Sequence, residues 1–355
     1  MILFAGLLLT AVFIATVGYR VHAAVAAQNI TGLLYNPVLY LFFFVYFYMV
    51  LGTMLSPAGQ SLVGFVFYDE ASDQASWLCY YYFVVTLLCY WISRDRQLRY
   101  ADIELGAMGE LTLGLSLIAL PYAYFLLITQ GPALAELQSS RYAAMQYYAE
   151  AFSQKGFGQT YCIAMAAATL YTLRFPRDPK AVLVVLVCIF PFLAADYLQN
   201  ARSTMFGIMT LVFILLCTRQ QKLYVMPAVA AIVALMLFGL VFRTDYRSLS
   251  LGTNLLSSLS ELFLTRASVD YVVGSNPDVG LYHLFTASMD RILPGLAKVL
   301  DDSNVEYFTD YIEHTMKLSF GLAGNLVSEA YYYGGLPFAL ISPVLIGGLY
   351  LWLSY

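Results

Sequence analysis

Arginine is the residue of this sequence best suited to chemistry, because several arginines stand at or beyond the ends of long apolar segments. A guanidinium offers a fixed fork of N–H donors that suits a phosphate or a pyrophosphate. Arg243 and Arg247 are four residues apart and would share one face of a helix. If they meet on one face of the folded protein, these arginines predict a polyanion-binding site; the candidates are Arg202, Arg243, Arg247, Arg266 and Arg291.

Each of these arginines also has a simpler interpretation. A long cationic side chain at the end of an apolar helix can reach lipid headgroups or water without binding any substrate. Arg202, which opens the apolar segment 203–218, could instead pair with Asp196. The grouping of the arginines favours the polyanion site, but each position alone leaves both roles open.

A carboxylate and a histidine could supply acid–base chemistry. Glu329 lies in a short apolar and aromatic stretch, where a polar group is costly and usually functional. We expect it to face a wet cavity and to pair with Arg202 or Arg243, because an unpartnered buried carboxylate is strongly disfavoured. His314 could act as a base or orient a hydroxyl group, or it could be an ordinary loop histidine.

Other kinds of chemistry find little support. The sequence has no GxSxG, no HExxH and no glycine-rich phosphate loop followed by lysine. Its five cysteines lie in apolar runs without CxxC spacing, so we expect small buried side chains, with no metal site and no cofactor. The net charge of −4 is small and dispersed, which argues against nucleic acid as a partner.

The elements that must position these residues are membrane helices. Hydrophobic residues make up 61% of the chain and charged residues only 11%, too few to coat a soluble protein of this length. The first apolar run lacks a basic start, so we expect it to remain as a helix. Because a span needs about 20 apolar residues, the sequence predicts an all-α, polytopic transmembrane bundle, a single integral membrane domain over 1–355. Its spans, roughly nine in number, are 2–18, 37–55, 75–93, 108–128, 157–175, 181–198, 203–218, 223–242 and 336–354.

Basic residues predict the orientation of these spans. Lys and Arg cluster in every second connection, near residues 20, 94–99, 174–180 and 219–222, whereas the connection 56–74 has none. The basic connections are therefore expected in the cytoplasm and the amino terminus outside. A large outward loop follows at 243–318, in which Leu255 to Phe263 has helical spacing typical of amphipathic helices at the membrane surface. The stretch 320–335 is expected to be a short re-entrant or surface helix.

The carboxy-terminal part resembles the bacterial O-antigen or oligosaccharide repeat-unit polymerases (Wzy-type). The features that carry the resemblance, over about 195–354, are Asn200-Ala201-Arg202-Ser203 opening an apolar span, Leu293-Pro294-Gly295 in a long outward loop, and the stretch Gly321 to Gly335 before the last helix. The arginine pairs followed by glycine that some members have are not present. These polymerases usually have more spans, so the chain is expected to be a short member or a sequence that stops early.

The resemblance implies a metal-independent, inverting glycosyltransferase in the bacterial inner membrane, with its active face in the periplasm. Its partners would be undecaprenyl-pyrophosphate-linked glycans as donor and acceptor, together with membrane lipid, and a chain-length-regulating co-polymerase is left open. Arg202 matches the arginine that opens a span, and Glu329 stands where many relatives have an acid. Two alternatives remain: an O-antigen ligase, for which His314 would be the natural catalytic residue, and a lipid-linked oligosaccharide flippase or another transporter.

Overall fold

The computed structural model describes residues 1–55, 73–93, 107–137, 141–174, 180–199, 260–277, 279–292 and 325–354, with isolated positions between 207 and 224 and between 308 and 312. Within these residues the chain is helical and contains no strand. It divides into two compact units, Met1–Gln97 with Leu249–Tyr355, and Leu98–Ser248. The single-domain organisation expected from the sequence stays a prediction.

Eleven α-helices of the described residues are numbered here in chain order. Those of the first unit are α1 Ile2–Ala26, α2 Ile30–Leu34, α3 Pro37–Val45, α4 Asp73–Ile92, α9 Ser260–Ser275, α10 Leu281–Ile292 and α11 Leu326–Ser354. A π-helical turn, Tyr46–Leu51, continues α3 as far as Leu55. Those of the second unit are α5 Ala107–Glu136, α6 Arg141–Ala151, α7 Phe157–Arg174 and α8 Lys180–Leu198.

Among the described residues, five helices are long and apolar enough to cross a membrane, as expected of a helical membrane protein. They are Ile2–Ala26, Pro37–Leu55, Asp73–Ile92, Gly109–Glu136 and Leu326–Ser354, and each overlaps a predicted span. The predicted spans 157–175 and 181–198 are helical, but α7 is not among the five and Leu183–Leu198 is a shorter apolar helix. The spans predicted at 203–218 and 223–242 lie mostly outside the described residues, so the count of nine is not confirmed.

Aromatic side chains form the core of the first unit where α1, α3 and α4 meet. The Phe13 and Tyr46 rings stack with centroids 3.8 Å apart. Phe42 packs on Phe83 at 5.2 Å and on Tyr90 at 4.9 Å. At one end of this core the Arg20 guanidinium donates to the Tyr90 carbonyl at 2.5 Å, which satisfies a carbonyl in the last turn of α4.

The second unit has its own core between α5, α7 and α8. Phe157 and Phe192 pack at 4.8 Å across α7 and α8, and Tyr148 of α6 stacks on Phe152 at 5.2 Å. Small residues let the helices approach: Ala123, Ala164 and Ala168 are buried here. Burial, reinforced by the nearby Asp196 carboxylate, raises the pKa of the Tyr148 phenol above its ordinary value.

A break at Gly334 and Gly335 folds α11 back on itself into a helical hairpin. Gly335 has φ 61° and ψ −163°, a backbone conformation open essentially to glycine alone. The Tyr82 hydroxyl of α4 contacts both arms: it donates to the Leu326 carbonyl at 3.3 Å and bonds Ser342 Oγ. A straight helix would separate Leu326 from Ser342 by about 24 Å. The arm Leu326–Tyr333 is therefore a short helix that runs back beside the arm Leu336–Ser354.

This hairpin gives the predicted short helix at 320–335 a definite form. Residues 320–324 lie outside the described residues, and the helix begins at Leu326. The arm Leu336–Ser354 matches the predicted last span, and its 1.5 Å rise per residue gives roughly 28 Å, close to the thickness of a bilayer core. With that arm across the membrane, the beginning of the short arm lies at the depth of Ser342, inside the apolar layer.

Candidate active site

The candidate residues from the sequence fall into two groups. Four of them, Arg202, Arg243, Arg247 and His314, lie outside the described residues. Arg291 belongs to the last turn of α10, but its side chain is likewise outside the described part. The grouping of these arginines into a pyrophosphate site, and the pairing of Glu329 with one of them, therefore stay predictions. The remaining two, Arg266 and Glu329, can be placed.

Arg266 is a fully buried side chain at the centre of a polar cluster in the first unit. Its NH1 lies 2.6 Å from Oδ2 of Asp270, one turn along α9, and both side chains are only 1% exposed. Its Nε donates to Thr53 Oγ1 at 3.0 Å and its NH2 to Ser76 Oγ at 2.8 Å. The guanidinium thus ties α9 to the ends of two apolar helices, α3 and α4.

Arg266 lies in a segment of α9 that is buried inside the protein: residues 265–270 are all buried. The spacing from Leu255 to Phe263, which predicts amphipathic helices at the membrane surface, lies outside the residues whose side chains are described, so that expectation stays a prediction. Packing against α3, α4 and α11 covers the helix on several sides, so its polar groups bond inside the protein. With its charge matched by Asp270, the guanidinium is held within the protein and can act as a structural link. Binding of pyrophosphate by Arg266 stays a prediction.

Two side-chain contacts connect α9 to the short arm of the hairpin. Asn325 Nδ2 donates to the Thr265 carbonyl at 2.8 Å. Ser268 Oγ donates to Ser328 Oγ at 3.2 Å. Because Thr265 and Ser268 stand on either side of Arg266 in the chain, the same turn of α9 carries the buried ion pair and the contacts to the start of the hairpin.

Asn325 caps the short arm where it begins. Its Oδ1 accepts from the backbone N–H of Val327 at 3.0 Å and of Ser328 at 2.9 Å, while Ser328 Oγ accepts from the Asn325 N–H at 2.9 Å. These bonds satisfy donors that a helix start leaves open, a requirement that is strict within an apolar layer. The cap fixes the half-helix that carries Glu329.

Glu329 lies in the first turn of this half-helix and is half-buried. Its backbone N–H donates to the Asn325 carbonyl at 2.9 Å, so its position follows directly from the cap. A carboxylate held by a capped half-helix can accept a proton from a hydroxyl group or orient a cation. Within the part of the chain that has been described, no three His, Cys, Asp or Glu residues come together as a metal site.

A cavity of about 450 Å³ opens at the tip of the hairpin. Its described lining consists of residues 276, 277 and 279–281 and of the break 333–337. Asn276 has φ 45°, and its Oδ1 accepts from the Tyr331 hydroxyl at 3.3 Å. Glu329 is not one of the described lining residues. It stands one helical turn before Tyr333, which does line the cavity. The cavity therefore adjoins the arm that holds the carboxylate.

The sequence interpretation missed Asp270 and Asn325, the residues that organise this site. Asp270 follows Arg266 by four residues, which is the spacing of an ion pair on one helix face. Asn325 and Ser328 have the spacing of a helix start, with a side-chain acceptor and a hydroxyl three residues later. Both signals were available locally, whereas the partners Thr53 and Ser76 depend on tertiary packing.

The second unit holds a buried acid of its own. Asp196, in the last turn of α8, is 3% exposed and accepts from Gln199 Nε2 at 3.1 Å. A buried carboxylate near the end of an apolar helix is costly, so it marks this end of α8 as a polar site. Its pairing with Arg202 remains open, since Arg202 is outside the described residues.

Comparison with known proteins found no relative: no family model, no curated protein and no solved structure matches the chain. The assignment of a function therefore depends on the residues and geometry described above, together with the resemblance found in the sequence.

Proposed function

We propose that this protein is a membrane-embedded glycosyltransferase that joins undecaprenyl-pyrophosphate-linked oligosaccharide repeat units into a surface polysaccharide. The reaction would take place on the periplasmic side of the bacterial inner membrane. The observation that supports this proposal best is the hairpin of α11, which holds the half-buried Glu329 in a capped half-helix beside a cavity. Half-helices and irregular backbone at membrane depth occur where they are buried or line a polar cavity.

The chemistry needs only groups that the chain and its substrates supply. The hydroxyl of the acceptor sugar attacks the anomeric carbon of the donor glycan, and a new C–O bond forms. The bond from that carbon to the pyrophosphate oxygen breaks, and undecaprenyl pyrophosphate leaves with the electron pair. Glu329 takes the hydroxyl proton, a role for which His314 is the second candidate.

The arginines would stabilise the leaving group. Negative charge grows on the pyrophosphate as the bond breaks, and fixed guanidinium groups lower the energy of that state. We assign this role to Arg202, Arg243, Arg247 and Arg291. Arg266 stays a fifth candidate for this role, although Asp270 already balances its charge inside the protein.

A glycan ladder from cells that lack the gene tests the proposed function. Without a polymerase, the surface glycan should fall to a single repeat unit, and a plasmid copy should restore the ladder. An O-antigen ligase would give a different result, because polymer would still form on the lipid carrier but would not reach the lipid A core. Unchanged polymer length and transfer in the deletion strain would refute the proposal.

A transporter of lipid-linked oligosaccharides is the second candidate, because transporters place substrate sites at discontinuous helices such as α11. In that case the deletion strain would accumulate repeat units on the cytoplasmic leaflet. A lectin assay distinguishes the polymerase from the transporter. Spheroplasts prepared without protease are treated with a membrane-impermeant lectin that binds the repeat unit. A polymerase mutant exposes single units outside, whereas a transporter mutant exposes none.

A further inference from the structure

Helix α10 turns its apolar side away from the rest of the protein. Leu281, Tyr282 and Phe285 share one face of the helix, because they are spaced by three and four residues. These large side chains are 52%, 57% and 52% exposed. A surface helix of a water-soluble protein has the reverse arrangement, with its apolar side against the core. The outer face of α10 is therefore built for apolar surroundings.

The side of α10 that packs on the protein is small and polar instead. Thr286 and Ala287 are almost completely buried. The Thr286 hydroxyl donates to the carbonyls of Tyr282 and His283, at 3.2 and 3.1 Å, so a bond within the helix satisfies this buried group. The helix can thus rest on the protein through its less apolar side, while its bulky side chains point outward.

The exposed face of α10 continues the outer surface of a membrane helix. A Cβ added to Gly334, at the break in α11, would come within 2.9 Å of the Leu281 side chain, so α10 begins against the hairpin tip. Leu281 and Leu336 also line the same cavity. From there the arm Leu336–Ser354 carries a row of exposed apolar side chains, which are Leu336, Leu340, Ile341, Val344 and Leu345. The apolar surface of this arm therefore reaches the start of α10.

The hairpin tip lies at the level where a bilayer ends. The arm Leu336–Ser354 is roughly 28 Å long, close to the thickness of the apolar core, so Leu336 stands near the boundary between lipid and water when the arm spans the membrane. Leu281 is beside that boundary. Tyr282 follows it, and tyrosine is enriched at this level because its ring is apolar while its hydroxyl group can reach the lipid headgroups.

We infer that α10 is an interfacial helix, whose face of Leu281, Tyr282 and Phe285 binds the acyl chains of membrane lipid beside the hairpin tip. This contact removes three large side chains from water and holds the Leu281 side of the cavity at the membrane surface. The helix belongs to the loop 243–318, but not to the segment Leu255 to Phe263 for which the sequence predicts surface helices. The inference is independent of the proposed transferase activity, because it uses only the apolar surface of a membrane protein.

Lipid is favoured over a second copy of the chain because of this continuity. The exposed side of the arm Leu336–Ser354 faces lipid when the arm spans the membrane, and the face of α10 adjoins it at Leu281. Lipid therefore reaches α10 without any further partner, whereas a second copy would have to displace it.

Photo-crosslinking in a bilayer tests the contact. The full chain is placed in nanodiscs of phosphatidylcholine and phosphatidylglycerol whose acyl chains carry an alkyne tag, and p-benzoylphenylalanine replaces one residue at a time. Phe285 and Tyr282 are the test positions, and both are already aromatic. Ile341, exposed on the long arm, is the control for lipid contact. His283, a half-buried ring on the other side of α10, is the matched control within the helix.

After irradiation we expect lipid adducts at Phe285 and Tyr282 within about twofold of the yield at Ile341, and at least tenfold less adduct at His283. All variants should elute as monodisperse protein, and if one test variant does not fold, the other gives the answer. A crosslinked dimer at these positions would overturn the inference, because the face would then bind a second copy. Crosslinks to another segment of the same chain, or no adduct at either position, would overturn it as well, since the face would be covered by protein or open to water.

Discussion

Arg266 and Asp270 form an ion pair within one turn of α9, with NH1 and Oδ2 2.6 Å apart and both side chains almost completely buried. Arg266 also donates to Thr53 and Ser76, and the carbonyl of the neighbouring Thr265 accepts from Asn325 of the hairpin cap, so this turn of α9 links three parts of the first unit. A buried pair is costly to break and much less costly to replace as a whole, because removing one partner leaves an uncompensated charge.

This relationship predicts opposite results for single and double substitutions. Arg266→Met or Asp270→Leu alone should destabilise the first unit by about 3–5 kcal/mol, because each leaves a buried charge without its partner. The double variant Arg266→Met/Asp270→Leu should recover most of that loss. Thermal unfolding and the yield of monodisperse protein in detergent measure the effect.

The same double variant separates the two roles of Arg266. If the guanidinium serves as a structural link, the double variant should accumulate and still make long polysaccharide. An accumulated double variant without polymer would instead place Arg266 in the pyrophosphate site. A double variant as unstable as the single ones would contradict the link as described, because the pair would then not act as a unit.

The break in α11 predicts a strong dependence on glycine. Gly335→Ala should cost about 1–3 kcal/mol, because φ 61° with ψ −163° strains any side chain with a Cβ. Gly334→Ala should also destabilise the protein through the collision with Phe338. Gly348→Ala is the control, since open space surrounds that position. Equal melting temperatures for the three variants would argue against the hairpin.

The sequence predicted the five long apolar helices of the described residues, because long apolar runs leave the backbone few alternatives in a membrane; its count of nine spans is not confirmed. It also marked Gly334 and Gly335 as the end of a short helix before the last span. It could not show that the short arm folds back, since that depends on the Tyr82 hydroxyl, about 240 residues earlier in the chain. For the same reason Arg266 looked like a free cation: the sequence shows its charge, whereas Thr53 and Ser76 approach it only in the folded protein.

The alternation of basic connections predicts the membrane topology. An alkaline phosphatase reporter fused after Arg96 should be inactive, because that connection is expected in the cytoplasm, and one fused after Asn276 should be active in the periplasm. A green fluorescent protein fused at the same positions should give the reverse pattern. Finding both positions on one side would refute the topology and, with it, the periplasmic location of the cavity.

Arg202 is predicted to bind the leaving pyrophosphate through both arms of its guanidinium. Arg202→Ala should abolish long polysaccharide while the protein still accumulates in the membrane. Arg202→Lys should rescue poorly, because an ammonium group cannot form the paired hydrogen bonds of the fork. Arg141→Ala, in another segment expected to face outward, controls for the loss of one positive charge. Full activity of Arg202→Lys would show that charge alone is needed.

Glu329 provides the sharpest test of the proposed chemistry. As the base, it contributes typically 10²–10⁴-fold in rate, and Glu329→Gln keeps the shape and hydrogen bonding of the side chain while removing its ability to accept the proton. We therefore expect Glu329→Gln to lose nearly all long polysaccharide at a normal protein level. Glu136→Gln is the matched control, because Glu136 is exposed at the end of α5.

The Glu329 and His314 variants together identify the general base. Asn325 and Ser328 hold the start of the half-helix through backbone bonds that the glutamine variant does not touch, so a loss of activity would report chemistry rather than folding. If Glu329→Gln retains substantial activity, the base is expected to be His314, and His314→Ala should then abolish the polymer. Glycan ladders that are unchanged in both variants would show that the active site lies elsewhere, because no other acid or histidine has been assigned to the acceptor hydroxyl.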